Sequence, residues 1–286
     1  MNIKKNLLSA QAFYINNDLE SAKKICESLL RDDKNNFSVI ELLIDINIKS
    51  ENYIEALKFL EKIIFLPTTY QPNDNKKEIS KKDFDLPDDK FIFCSFNRSY
   101  KITSKILDIW TDVLNYKKNS ILWLFADNNL TKTNLKSEFA NLGINADRII
   151  FANPTDHPEH LARHKFADLF IDTFPYTGHT TVSDALWTGL PVVTKIGNSF
   201  ASRVSASLLK ALDLSELIAK TDEEYKKMIL ELSSDQTKLL KIKEKISKNI
   251  FKKALFDSKL YTENLEKAYN AIYENYSKNK KNDIQI

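Results

Sequence analysis

From residue 91 onward the chain alternates short apolar runs with amphipathic segments, and this alternation restricts the available folds more than any other feature. The runs Phe91–Phe96, Ile121–Phe125, Arg148–Phe151, Asp168–Asp172 and Pro191–Thr194 are rich in Ile, Val, Leu and Phe. Segments near 103–117, 131–142, 157–166 and 181–188 lie between them, with apolar residues at helical spacing. Short runs that are apolar on both faces, separated by helices, belong to a parallel sheet covered by those helices. The expected fold class is α/β, with a Rossmann-like parallel sheet over residues 91–220. After Ala201 the apolar periodicity through Leu230, Ile242, Leu260 and Ile272 reads as helical. Residues 221–286 are therefore expected to form C-terminal helices that pack on the sheet and end in a polar tail.

The first 66 residues carry a different signal. Asn17-Asp18-Leu19-Glu20-Ser21-Ala22-Lys23-Lys24-Ile25 aligns with Glu51-Asn52-Tyr53-Ile54-Glu55-Ala56-Leu57-Lys58-Phe59, and the same 34-residue offset pairs Leu29 with Ile63 and Leu30 with Ile64. Ala22 and Ala56 allow paired helices to approach closely, while Leu and Ile at helical spacing bury the shared face. The period resembles the tetratricopeptide repeat, so 1–66 is expected to be an all-α tetratricopeptide-like segment, with a generic helical hairpin as the alternative. Residues 67–90 contain Pro67, Pro72, Pro87 and the polar run Asn73–Glu78, and read as a linker.

Composition excludes some functions. The 42 basic and 39 acidic residues are well mixed and leave a net charge of +3, which argues against a dedicated nucleic-acid binder. Cys26 and Cys94 lie far apart and form no CxxC or zinc-type spacing, so reduced thiols are expected rather than a disulfide framework. No apolar stretch approaches the roughly 18 residues of a membrane span. The N-terminus is too weakly apolar for a signal peptide, and a cytoplasmic location is expected.

The residues that carry chemistry are crowded together. All four histidines fall between positions 157 and 179, with Arg163 and Gly178 among them. In an open parallel sheet, ligands bind beyond the carboxyl ends of the strands. Three strand ends here lead into polar residues: Asn97-Arg98-Ser99-Tyr100-Lys101, then Asn153-Pro154-Thr155, then Gly178-His179-Thr180-Thr181, which opens the helix containing Asp184. Thr180 or Thr181 can cap that helix, whose free amides make an anion site. Gly178 lets the backbone turn sharply near a ligand. Lys101 adds a cation over a phosphate, and Asp184 can accept a bond from a sugar hydroxyl. This is nucleotide-binding chemistry, although neither a GxxxxGK[ST] nor a GxGxxG motif is present. His157, His160 and His164 share one helix face and could meet zinc, but no carboxylate or cysteine completes the set and Arg163 would repel a cation.

Several motifs follow one another in a recognisable order: Phe96-Asn97-Arg98-Ser99-Tyr100-Lys101-Ile102, Asn119-Ser120-Ile121-Leu122-Trp123-Leu124, Glu159-His160-Leu161-Ala162-Arg163 and Ala167-Asp168-Leu169-Phe170-Ile171-Asp172-Thr173. Gly178-His179-Thr180-Thr181, Asp184–Val192 and Phe200–Ser207 extend the series. Together they resemble the O-linked N-acetylglucosamine transferase family, including its plant SPINDLY-like and bacterial members, over about residues 91–275. The resemblance implies the second, donor-binding domain of a glycosyltransferase B fold. By that resemblance Lys101 contacts the diphosphate of a UDP-sugar and stabilises the leaving UDP as the catalytic residue. His179, Thr180 and Thr181 hold phosphate and sugar, Asp184 holds the ribose, and His160 and Arg163 surround the uracil and its ribose. Arg98 and Thr155 complete the expected donor contacts, and no metal cofactor is expected.

Two departures from the family pattern stand out. Arg98 occupies a position where many members carry an amide, and it brings greater charge toward phosphate. The family also implies a first Rossmann-like domain between the repeats and Phe91, where this chain has only the 67–90 linker. The expected function is a UDP-sugar-dependent protein O-glycosyltransferase, present as its donor-binding portion and needing a partner for the other half. The alternatives are a non-catalytic UDP-sugar-binding and protein-interaction module, or a truncated remnant. Expected partners are the UDP-sugar donor, a protein held by the helical repeats, and a second copy or complementing chain.

Overall fold

The computed structural model describes residues 3–32, 37–50, 64–67, 69, 73, 79, 80, 84, 86–278 and 284–286. The chain forms two compact units, Met1–Phe65 with Glu266–Ile286, and Leu66–Leu265.

In the first unit, helices α1 (Ile3–Ile15), α2 (Leu19–Asp32) and α3 (Phe37–Lys49) bury Ala10, Ala22, Cys26, Leu29, Val39, Leu43 and Ile46 against one another. Asn17 takes a left-handed backbone (φ 63), and Asp18 Oδ1 accepts from the Ser21 amide at 3.1 Å, so the turn ends α1 and starts α2 within three residues. Ala22 is fully buried, as close helix approach requires. Its repeat counterpart, 51–59, lies outside the described residues. A two-residue strand, β1 (Ile64–Phe65), pairs in parallel with β8 (Ile284–Gln285).

The second unit holds a six-stranded parallel sheet of β2 (Phe91–Ser95), β3 (Ser120–Phe125), β4 (Ile149–Ala152), β5 (Leu169–Ile171), β6 (Val192–Lys195) and β7 (Ile218–Ala219). The strand order is β4-β3-β2-β5-β6-β7. The connecting helices are α4 (Ser104–Tyr116), α5 (Asn129–Asn141), α6 (His157–His164), α7 (Thr180–Trp187) and α8 (Val204–Ala211). After β7 come α9 (Asp222–Ser234), α10 (Gln236–Asn249) and α11 (Ser258–Ser277). Phe93, Leu122, Leu124, Leu169, Phe170, Val192 and Val193 are fully buried, which is why these strands read as apolar runs without alternation. Polar side chains set the helix starts: Asn128 Oδ1 accepts from Thr131 N at 2.8 Å before α5, and Asp156 Oδ1 accepts from Glu159 N at 3.0 Å before α6.

The chain winds outward from β2 to β4, then returns to the other side of β2 to lay down β5, β6 and β7. The direction of winding therefore reverses between β2 and β5, which pair through Phe93 with Leu169 and Cys94 with Phe170. At such a switch point the loops leaving neighbouring strands part in opposite directions and open a crevice.

Two features differ from the sequence reading. The region after Ala201 is not wholly helical, because Ile218–Ala219 extends the sheet edge through Thr194 and Lys195. Two residues carry no periodicity, so such a strand is recognisable only by its neighbour. The described residues of the 67–90 segment lie against the sheet unit. Ser80 N donates to the Pro158 carbonyl at 3.1 Å, Asn73 Oδ1 accepts from Ser183 Oγ, and the Phe84 ring packs edge-on to Trp123 and Phe166. No helix among the described residues is long and apolar enough to cross a membrane.

Candidate functional site

The reversal point of the sheet is where the polar groups converge. Just beyond β2, Asn97 Nδ2 donates to Asp172 Oδ1 and to Thr173 Oγ1, both at 2.8 Å, at the end of β5. Its Oδ1 accepts from Thr181 Oγ1 in the first turn of α7. One amide side chain thus ties together two strand ends and a helix start.

Asp172 is fully buried. Its Oδ1 also accepts from Thr173 N at 2.9 Å and Gly178 N at 2.8 Å, and its Oδ2 accepts from Thr194 Oγ1 at 2.7 Å on β6. Burial pushes this carboxyl above the usual carboxylate range, and the donors around it oppose that rise. The Tyr225 hydroxyl on α9 donates to the Asp172 carbonyl at 2.7 Å and accepts from Trp110 Nε1 at 3.2 Å. Glycine is required at 178 by space: a Cβ there would lie 2.6 Å from Val182 Cγ2 and 2.9 Å from Asn97 Oδ1.

This framework places a lysine. The 3-10 turn Ser99–Lys101 leaves the Lys101 side chain largely buried, with Nζ donating to the Thr177 carbonyl at 2.9 Å and lying 3.8 Å from the centre of the Tyr176 ring. Burial lowers the Lys101 pKa, and the Asp172 charge raises it. His179 is pushed down from the ordinary imidazole value, first by burial and then by the neighbouring Lys101 charge. The Lys101 charge thus acts directly on the His179 ring. His179 occupies the cap position of α7 without a side-chain capping bond. This corrects the expectation of a threonine cap: Thr180 and Thr181 lie inside the helix, and the Thr181 hydroxyl goes to Asn97. The first-turn amides have no acceptor within the helix, and the positive end of the helix favours an anion there.

A cleft of about 560 Å³ opens over these groups. Of the residues singled out from the sequence, Arg98, Lys101, His160, His179, Thr180 and Thr181 line it, together with Phe96, Asn97, Tyr100, Phe125 and Tyr176. Arg98 is exposed, pairs with Asp127 at 3.1 Å and lies over the Phe125 ring.

Thr155, Arg163 and Asp184 lie outside the cleft lining. Thr155 is exposed and bonds the Glu159 carboxylate on its own turn. Arg163 is only 2% exposed, donates from Nη2 to the Asn153 carbonyl at 3.1 Å and lies over the Phe96 ring. Its Nε and Nη1 have no hydrogen-bond partner among the described residues. Asp184 is buried, with Oδ2 3.4 Å from His157 Nε2 and 3.8 Å from His160 Nε2, because its position one turn into α7 faces α6. His164 is fully buried with Nδ1 2.8 Å from the His160 carbonyl, and its ring packs on Phe96. Among the described residues no group of three or more His, Cys, Asp or Glu is arranged to hold a metal ion.

The sequence reading treated Asn97 only as part of a polar turn and gave Asp172, Tyr176 and Thr177 no role. The available signal was positional, since Asn97 and Asp172 both stand at carboxyl ends of apolar runs. Their adjacency depends on strand order, which local patterning does not specify.

A doubly wound parallel sheet with a lysine, a close-turning glycine and a helix start at its reversal point is a Rossmann-like domain, and it fits the glycosyltransferase B type. Residues 19–265 match the model of glycosyl transferase family 41, and the chain belongs to that family. It is 36% identical over 197 residues to a UDP-N-acetylglucosamine--peptide N-acetylglucosaminyltransferase of Caenorhabditis elegans, which covers 69% of this chain and 17% of that protein. It is 32% identical over 235 residues to the probable enzyme of that name, SEC, of Arabidopsis thaliana, covering 77% of this chain and 24% of the relative. A solved structure of the Thermobaculum terrenum O-GlcNAc transferase K341M mutant superposes with a TM-score of 0.68 at 30% identity, over 74% of this chain and 41% of that one. The chain thus spans about a quarter or less of the length of these two curated relatives.

Proposed function

We propose that this chain is the donor-binding portion of a UDP-sugar-dependent protein O-glycosyltransferase, with UDP-N-acetylglucosamine as the donor. The observation that carries the reading is the convergence of the Lys101 ammonium and the start of α7 on one cleft. Transfer of a sugar from UDP leaves a diphosphate with increased negative charge. A fixed lysine and aimed amides stabilise that charge as it develops, and each such donor is worth roughly 3–4 kcal/mol in related oxyanion sites. Lys101 is assigned to the diphosphate, and His179, Thr180 and Thr181 to phosphate and sugar. His160, which lines the cleft, is assigned with Arg163 to the uracil and its ribose, and Asp184, 3.8 Å from His160 Nε2, to the ribose. The acceptor is a protein Ser or Thr hydroxyl, and helices α1–α3 together with the 51–59 repeat sequence form the protein-binding segment.

A second reading is a non-catalytic module that binds a UDP-sugar and holds a protein. The described residues contain one Rossmann-like sheet, and the chain covers 41% of the solved relative.

Calorimetry with UDP and UDP-N-acetylglucosamine tests both readings. Both predict binding that weakens on Lys101→Ala, and absence of binding at millimolar ligand would overturn both. Sugar transfer to peptide, measured for the chain alone and with a complementing domain, then separates them. Activity, alone or with the added domain, supports the first reading, and UDP-sugar binding without transfer in either case supports the second.

A further inference from the structure

The Asp172 carboxylate is fully buried and accepts hydrogen bonds from Asn97 Nδ2, Thr173 N, Gly178 N and Thr194 Oγ1 at 2.7–2.9 Å, yet nothing in the proposed chemistry uses it. Two of the donors, Gly178 N and Asn97 Nδ2, belong to the residues that shape the cleft. Through Asn97 the same carboxylate is linked to Thr181, and through the 173–178 turn to the Thr177 carbonyl that holds Lys101 Nζ. An arrangement serving only to fold the turn could use a neutral acceptor, because burying a carboxylate is costly without a compensating charge. The cation linked to it is Lys101, across a single peptide group: Lys101 Nζ donates to the Thr177 carbonyl at 2.9 Å, and the Gly178 N–H of the same peptide donates to Asp172 Oδ1 at 2.8 Å.

We propose that Asp172 is a positioning residue of the donor site: it fastens the Gly178 turn, Asn97 and Thr181 into one cradle and supplies the negative charge that keeps Lys101 a cation at the cleft. The inference rests on the donor-binding reading above for its function, but not for its measurement. Asp172 acts through Lys101 and touches no substrate.

The charged and titratable groups acting at this point come from several elements. Asp172 stands at the end of β5 and His179 at the start of α7, the Tyr176 ring lies beside the ammonium, and Tyr225 of α9 neighbours Asp172. Burial lowers the Lys101 pKa while Asp172 opposes that shift, in the direction the geometry requires.

The test is a carbon-13 NMR titration of the Lys101 side chain in the whole chain, in wild type, Asp172→Asn and Thr194→Val. Asp172→Asn keeps an acceptor oxygen for the turn and removes the charge. Thr194→Val removes one bond to Oδ2 and keeps the charge. The expected result is a Lys101 titration moved down by about one pH unit in Asp172→Asn, a tenfold loss of the ammonium form at fixed alkaline pH, and unmoved in Thr194→Val. The alkaline fall in UDP affinity should move to lower pH with it in Asp172→Asn and stay in place in Thr194→Val. An unchanged Lys101 titration in folded Asp172→Asn overturns the proposal. If that variant does not fold, the carboxyl resonance of wild-type Asp172 decides: ionised at about pH 7 supports the counter-charge, and protonated there removes it. If UDP fails to bind wild type while Lys101 shifts as expected, the donor reading falls and the charge pairing stands.

Discussion

Asn97 and Asp172, 75 residues apart in sequence, meet at 2.8 Å where β2 and β5 end side by side. Both residues are buried, and Asn97 also lines the cleft. Replacing Asn97 by Ala would leave Thr181 Oγ1 without its acceptor and Asp172 with one donor fewer. Unsatisfied buried partners cost about 1–3 kcal/mol, more when charged. Thermal unfolding of Asn97→Ala should show a clear loss of stability, with weaker UDP binding measured on the folded fraction. Wild-type stability and affinity would refute the role given to this bond.

Lys101→Ala removes a cation without removing the helix start. A hydrogen bond to a charged group is worth about 1.5–3 kcal/mol, or roughly ten- to a hundredfold in affinity. Calorimetry should therefore register weaker UDP binding by about that factor with a reduced heat of binding, and the unfolding temperature should fall because the buried Thr177 carbonyl loses its donor.

Gly178→Ala is a steric test of the same turn. The added Cβ would fall 2.6 Å from Val182 Cγ2, 2.8 Å from Thr181 Oγ1 and 2.9 Å from Asn97 Oδ1, so the turn and α7 must separate. Overpacking of this kind costs about 1–3 kcal/mol. Denaturant unfolding should show the loss, and UDP affinity should fall with it because the displaced atoms belong to the cradle. Gly143 has φ 83, and a Cβ added there would meet nothing within 4 Å, so Gly143→Ala faces backbone strain alone and should leave UDP binding intact.

His164 gives the domain an acid limit. Its ring is fully buried, and burial with the adjacent His160 and Arg163 charges holds its pKa well below the ordinary 6.5. The unfolded chain therefore binds a proton that the folded chain refuses. The neutral ring's contribution is complete above about pH 6.5 and is lost as pH falls from there toward the depressed folded value, at up to about 1.4 kcal/mol per pH unit. Stability measured from neutral to acidic pH should decline across that interval, and His164→Gln should flatten the slope. An unchanged slope in the variant would assign the acid sensitivity to other groups.

The sheet was legible in the sequence because each run, from Phe91 to Thr194, shows its burial within a few residues. The motifs at Lys101 and Gly178–Thr181 were legible too, since strand ends and helix starts are local features. Ile218–Ala219 was not, being too short to hold a period, and its strand exists only through its pairing with β6. Arg163 and Asp184 were expected at the ligand from the family pattern. They lie outside the cleft lining, Asp184 against the α6 histidines and Arg163 over Phe96, and these contacts depend on how α6 and α7 pack, which neither helix shows alone.

By itself the sequence determined the class of fold, the residues at the strand ends, and the family to which the chain belongs. Hydrophobic periodicity is a local property, and the hydrogen-bonding capacity of a strand end is carried by the residues themselves. Only the tertiary structure decided which of those groups meet. The winding reverses between β2 and β5, and that reversal brings Asn97 to Asp172, closes Gly178 against both, and leaves Lys101 anchored on Thr177 beside the α7 start. Partnerships across such distances depend on strand order, and strand order is fixed by the packing of the whole sheet rather than by any segment within it.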